Sequence, residues 1–116
     1  MNIESFRAYC LSFKATSEGF PFDDKTIVFK AGGKIFAACD VDTFEFVNLK
    51  CAPDWALELR ADNPGIKPGW HMSKKHWNSV YTDGSVDDEQ LRKLISHSYE
   101  LIVKRLTKKV RAEYDL

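Results

Sequence analysis

The chain has few cysteines, no net charge and no long apolar run, and each shortage removes a class of protein. Cys10, Cys39 and Cys51 are its only cysteines. They are odd in number, widely spaced and form no C-x-x-C pair, so neither a structural zinc site nor a disulfide framework is expected. Cysteine otherwise behaves as a small hydrophobe, and a core position is the expectation for each. Lys plus Arg and Asp plus Glu both total 17, so the chain as a whole is neutral. Binding to nucleic acid or an anionic surface therefore needs a local basic patch. No apolar run approaches the roughly 18 residues of a membrane-spanning helix, so no membrane partner is expected. The start, Met1-Asn2-Ile3-Glu4-Ser5, lacks the charged and apolar segments of a signal peptide, which reads as cytoplasmic. With no repeat, low-complexity stretch or linker, residues 1–116 read as one domain with one core.

What is present is a regular alternation of elements. Residues 2–14 have Ile3, Phe6, Cys10 and Phe13 at helical spacing, with Asn2 available as the cap. Gly19-Phe20-Pro21-Phe22-Asp23-Asp24 breaks that helix. Strands are expected at 26–30, 34–41 and 44–51, with Gly32-Gly33 as a two-residue turn of positive φ. Pro53 and Asp54 open a helix to about Ala61. Residues 69–72 and 76–82 read as two further strands. The last helix, capped by Ser85 or Asp87, runs to about Arg111 on a stripe of Leu91, Leu94, Ile95, Ile102 and Leu106. The order α-β-β-β-α-β-β-α predicts an α+β fold: an antiparallel sheet with helices on one face.

The strand register follows from the turns. Pairing Ala31 with Lys34 sets Phe29 opposite Phe36 and Ile27 opposite Ala38. Pairing Val41 with Phe44 sets Val47 opposite Ala38 and Leu49 opposite Phe36. The core face then collects Ile27, Phe29, Phe36, Ala38, Val47 and Leu49. The other face, half open to solvent, collects Val28, Lys30, Ile35, Ala37, Cys39, Phe46, Asn48 and Lys50.

Residues 64–84 concentrate lysine, histidine and tryptophan in one short segment. Lys74-Lys75 reads as a hairpin tip able to reach phosphate, with His76 and Trp77 beside it. The competing reading is a solvated turn, with Trp77 spent on the core. A second basic group, Lys93, Lys104, Lys108 and Arg111, lies opposite the apolar stripe of the last helix, with Arg105 and Lys109 at its margins. That pattern fits a contact face, and equally an ordinary solvent face with cations near a helix C-terminus. Phe20, Pro21 and Phe22 are either an exposed patch or a lid over the core edge. His71, His76 and His97 match no metal-ligand spacing, Ala31-Gly32-Gly33-Lys34 is no phosphate loop, and no catalytic residue stands out.

Several blocks occur in an order that carries a resemblance: Glu18-Gly19-Phe20-Pro21-Phe22, Phe29 to Ala37, Asn48-Leu49-Lys50-Cys51, Leu59-Arg60, Lys74-Lys75-His76-Trp77-Asn78-Ser79-Val80, and Ser98-Tyr99-Glu100-Leu101. Together they resemble the MmcQ/YjbR family over nearly the whole chain. The resemblance implies a CyaY-like (frataxin-type) fold and a "double wing" arrangement proposed to bind DNA; the basic hairpin and the basic last helix then make Lys74, Lys75, His76, Trp77, Lys104, Lys108 and Arg111 the expected contact residues. It implies no catalytic residue, and the sequence itself leads to no expected cofactor or membrane partner. Frataxin-type iron binding is not expected, because the first helix and following loop carry only Glu4, Glu18, Asp23 and Asp24, and hard cations need converging oxygen ligands. The alternative is a non-enzymatic protein- or small-ligand-binding module that uses the half-open sheet face around Ile35, Ala37 and Phe46.

Overall fold

The computed structural model describes residues 1–116. Helix α1 (Ile3–Leu11) leads into strands β1 (Thr16–Gly19), β2 (Thr26–Ala31), β3 (Lys34–Asp40) and β4 (Phe46–Lys50). Helix α2 (Pro53–Asp62), strands β5 (Ile66–Pro68) and β6 (Trp77–Tyr81), and helices α3 (Asp88–Arg105) and α4 (Lys108–Glu113) complete the chain. The strands form one antiparallel sheet in the order β1-β2-β3-β4-β6-β5. Phe6 and Cys10 of α1, Ala56 and Leu59 of α2, and Leu91, Leu94, Ile95 and Ile102 of α3 cover one face in a single core cluster. This is the expected α+β architecture with two additional elements. No helix is long and apolar enough to cross a membrane.

The added elements have local causes. Strand β1 is Thr-Ser-Glu-Gly, polar and without alternation, and it joins the edge of the sheet through backbone pairing to β2. Arg7 of α1 holds it from the side through both carboxylate oxygens of Glu18. The last helix is interrupted because Leu106 turns to an extended conformation (ψ 143°) and Thr107 caps a new helix, its hydroxyl accepting from Val110 N–H at 3.2 Å. Leu106 thereby seats against Gly32, where a Cβ would lie 2.6 Å from its Cδ1. Gly32 and Gly33 have φ of 55° and 86°, as a tight turn between right-twisted strands requires. Asn2 and Asp87 are the caps of α1 and α3.

The register differs from the expected one beyond the first turn. Ala31 pairs with Lys34 and Lys30 with Ile35, but Phe29 faces Ala37, so Phe36 is an extra residue, a β-bulge. Ile27 consequently faces Cys39, not Ala38. The turn before β4 is also longer than expected. Asp40 accepts from the N–H groups of Asp42 and Thr43, Phe44 takes φ 44°, and Ala38 pairs with Asn48. Because strand faces alternate, the bulge inverts β3 past Phe36. Ala37 and Cys39 enter the core, and Ala38 moves to the opposite, outer face.

The bulge opens the ladder, and a side chain from α3 bridges the gap. Ser98, fully buried in the apolar stripe, donates its hydroxyl to Phe36 C=O at 2.5 Å and accepts Lys50 N–H at 2.9 Å. Tyr99, its neighbour, stacks on Phe13 at 4.6 Å, meets Phe36 edge-on at 5.6 Å, and donates to Lys14 C=O at 2.6 Å. The three cysteines are unpaired and buried. Burial pushes the Cys39 thiol up to about 12 and Cys51 to about 11, and raises Cys10 as well, so all three stay protonated at neutral pH.

Ser98→Ala is predicted to lower the unfolding free energy by about 1–3 kcal/mol, since a buried backbone donor and acceptor lose the hydroxyl they share. Ser96→Ala, whose hydroxyl meets the Tyr9 phenol at 3.0 Å in a half-buried position, should cost about 1 kcal/mol or less. Urea unfolding of the two variants decides this, and equal losses would deny Ser98 the bridging role.

Candidate functional site

The segment 69–72 is a loop, not a strand: β5 ends at Pro68 and β6 begins at Trp77, so residues 69–76 form one connection. It is held tightly. Gly69 N–H donates to Trp77 C=O at 2.9 Å and lies so close that a Cβ there would be 2.7 Å from Trp77 Cβ. Arg60 of α2 donates from Nε to Asn78 Oδ1 at 2.7 Å, and from Nη2 to the carbonyls of Lys74 and Trp77. Lys74 Nζ turns back to Gly69 C=O. Lys74 is therefore the loop's internal tie and not a free cationic tip. A lone Arg on a helix reads as solvent face, so sequence pattern alone gave no sign that Arg60 fastens this loop.

The remaining positive groups gather at the adjoining end of the sheet. His76 is half-buried, and its pKa is lowered by burial and then by Lys50, Arg105 and Lys75. Lys50 is lowered by burial and then by Arg105 and Lys34. Lys50 and His76 are thus the centre of a positive group, to which Lys34 of β3, Lys75 of the loop and Arg105 at the end of α3 add their fields. The last helix does reach the lysine loop, through Arg105. Lys104 lies a step around the helix, where its charge bears on His97. Lys108 and Arg111 stand on α4, beyond the break at Leu106. Trp77 belongs to the outer face, not to the core: it pairs with Lys50 across the strands, is half-buried, and has Lys50 Nζ 5.7 Å from its ring centre.

The outer sheet face is more covered than expected. Val28, Ala38, Asn48 and Ser79 are all buried, although no helix lies on that side. Two loops cover them. One carries Phe22 and Asp23, and the other carries Trp70, His71 and Met72. Asn48 and Ser79 fasten the second loop. Ser79 donates to Asn48 Oδ1 at 2.5 Å and accepts Trp70 N–H at 2.9 Å, while Asn48 Nδ2 donates to Trp70 C=O at 3.1 Å. The loop continues through His71 at φ 57°, a left-handed conformation that is costly for a residue with a Cβ. Between the loops lies a cleft of about 550 Å³ floored by Val28, Ile35 and Ala38.

The third histidine has a structural task. His97 Nε2 accepts the N–H of Ala52, at the start of α2, at 3.1 Å, and its ring meets Trp55 edge-on at 4.6 Å. That bond requires the neutral imidazole with its proton on Nδ1. Burial lowers its pKa, Glu100 opposes the shift and Lys104 adds to it.

The family model described as YjbR matches residues 11–101. Uncharacterized protein YbdF of Escherichia coli O157:H7 is 43% identical over 91 residues, 78% of this chain and 75% of that protein. Uncharacterized protein YjbR of Escherichia coli strain K12 is 31% identical over 112 residues, 96% of this chain and 95% of that protein. The crystal structure of Deinococcus radiodurans protein DR2400, of the DUF419 domain, superposes with a TM-score of 0.93 at 38% identity and covers 99% of this chain and 88% of that one.

The lowered pKa of His97 gives a signed prediction. The folded state binds fewer protons than the unfolded state below the ordinary value of about 6.5. The His97 contribution is therefore complete above that value and is lost as pH falls through the folded-state pKa. His97→Gln keeps an acceptor for Ala52 and removes the titration. Thermal midpoints between pH 7.5 and 5, a range chosen about the histidine pKa, should fall less steeply for the variant; identical slopes would rule the effect out.

Proposed function

The chain belongs to the YjbR family, and from that premise we propose that it is a non-enzymatic nucleic-acid-binding domain that grips the phosphate backbone of DNA through Lys34, Lys50, Lys75, His76 and Arg105. One observation carries the reading. In a chain of zero net charge, positive side chains from four separate elements bear on Lys50 and His76, whose protonation burial, and then these neighbouring charges, disfavour. Like charges in that arrangement cost free energy, and an anion among them relieves it. Phosphates spaced along a nucleic acid suit a cluster that spans the end of a sheet. Trp77, half-buried beside Lys50, adds a flat surface next to the cations.

Of the contact residues expected from the lysine hairpin and the basic last helix, Lys75, His76 and Trp77 belong to this cluster. Lys74 serves the loop, and Lys104, Lys108 and Arg111 give way to Arg105. A reading that places contact at Lys74 puts its ammonium in two roles, since Gly69 C=O already receives it.

Fluorescence anisotropy with a labelled short duplex and a labelled single strand at low salt tests the proposal. Lys75→Glu with Arg105→Glu should abolish binding and leave stability within about 0.5 kcal/mol, because both residues are exposed. Arg92→Glu with Lys93→Glu, on the far end of α3, should bind as wild type. Each lost phosphate contact should reduce the salt slope by about 1. Affinity should rise as pH falls through the His76 titration, and His76→Ala should flatten that rise. The absence of any shift with either DNA at low salt sinks the proposal.

A further inference from the structure

The outer-face cleft is separate from the basic cluster in composition and sign of charge. Its walls are aromatic and stand in solvent: Trp70 is 60% exposed and Phe22 is 70% exposed. Phe46 buttresses Trp70 from behind, edge-on at 6.0 Å, and Tyr81 packs on Phe46 at 5.3 Å. The floor of Val28, Ile35 and Ala38 is apolar. Asn48, the polar group at the floor, and Ser79 behind it bond to each other and to the Trp70 backbone. The floor is therefore mainly apolar surface, and the charged groups stand at the rim.

The rim is acidic. Asp23 lines the cleft, and Asp40 lines its continuation past Thr26, Ala38, Asn48 and Trp70. The two carboxylates feel each other's charge, with Lys25 close to both and offsetting part of it. Backbone N–H groups hold both in the ionised form, those of Thr26 and Lys25 for Asp23 and those of Thr43 and Asp42 for Asp40. No lysine or arginine lines either part of the cleft; the one basic side chain there is His71, whose ring lies edge-on against Trp70 at 3.8 Å.

Two further facts separate this cleft from an accidental hollow. The Trp70 loop is anchored by a buried polar ring, and that ring fixes the backbone in a position that leaves the indole exposed. His71 is meanwhile held at φ 57°, a strain that persists only where the surroundings enforce it. An anchored loop that displays a large aromatic and carries backbone strain is the arrangement of a preformed site.

We propose that the cleft between the Phe22 and Trp70 loops is a binding site for a small organic cation: an amine or quaternary ammonium on an aromatic or branched aliphatic body. The body fills the apolar floor, the charge meets the faces of Trp70 and Phe22, and Asp23 and Asp40 supply the counter-charge. The volume of about 550 Å³ suits a compact metabolite and not a folded partner.

The test uses 2-phenylethylamine, with 3-phenylpropionate and 2-phenylethanol as anionic and neutral counterparts, followed by 1H–15N correlation spectra of the intact chain. The amine should shift the Trp70 indole N–H and the Ile35, Ala38 and His71 amides saturably, and bind about tenfold tighter than either counterpart. Trp70→Ala should weaken it about tenfold. Asp23→Asn with Asp40→Asn, which keeps the acceptors that cap both turns, should erase the preference for the amine. Lys75→Glu with Arg105→Glu, which removes DNA binding under the reading above, should leave amine binding unchanged. Equal or tighter binding of the carboxylate, or shifts that never saturate and spread beyond the cleft, overturns the proposal.

Discussion

The fold turns on one extra residue. Without the bulge at Phe36, strict alternation would carry Ala38 into the core and Ala37 outward, and β3 would present one phase along its whole length. With it, the strand serves two purposes in sequence. Its first half places Ile35 on the outer face. Its second half sends Ala37 and Cys39 inward while Ala38, small and apolar, joins Val28 to floor the outer cleft. A bulge in a buried sheet leaves ladder groups in need of partners. Ser98 meets that need from the opposite side, and this is why a polar residue stands inside the apolar stripe of α3. The pair Ser98-Tyr99 thus sets β3 in its unusual phase and closes the core over Phe13 and Phe36.

A second constraint is the division of charge. The chain is neutral overall, yet its surface is not mixed evenly. Lysines, an arginine and a histidine meet where β3, β4, the 69–76 loop and the end of α3 converge, and carboxylates border the Phe22 loop and the turn after β3. The outer sheet face lies between them. Neutrality of the whole chain therefore says little about either end, because the local potential decides which ions gather there.

Much of this architecture was legible in the sequence. The cap at Asn2, the cap at Asp87 (one of the two residues expected to supply it), the Gly32-Gly33 turn, Pro53 at the start of α2 and the stripe from Leu91 to Ile102 each have a local physical cause, and the structure contains all of them. Three features lay outside local reasoning. Strand β1 is polar and forms through backbone pairing, which leaves no apolar signature. The helix break at Leu106 is hidden because a leucine at that spacing fits a continuing stripe; only the demand of packing against Gly32 turns it out. The bulge adds one residue between two apolar ones, and no pattern of apolar residues marks which of Phe36 and Ala37 is surplus. The candidate site followed the same rule: the sequence shows the positive charge of Lys75 and His76, but the commitments of Lys74 and Arg60 inside the loop are tertiary facts.

The connection between β5 and β6 has a mechanical meaning as well as a structural one. Its first residues, Trp70 to Met72, wall the aromatic cleft, and its last, Lys75 and His76, stand in the basic cluster. Ties to Asn48 and Ser79 at one end and to Arg60 in the middle make it a short strut more than a flexible strap. A strut transmits displacement. Trp70 and His76 therefore ride on one anchored piece of backbone, and any free energy coupling them would be the same whichever end is pushed first.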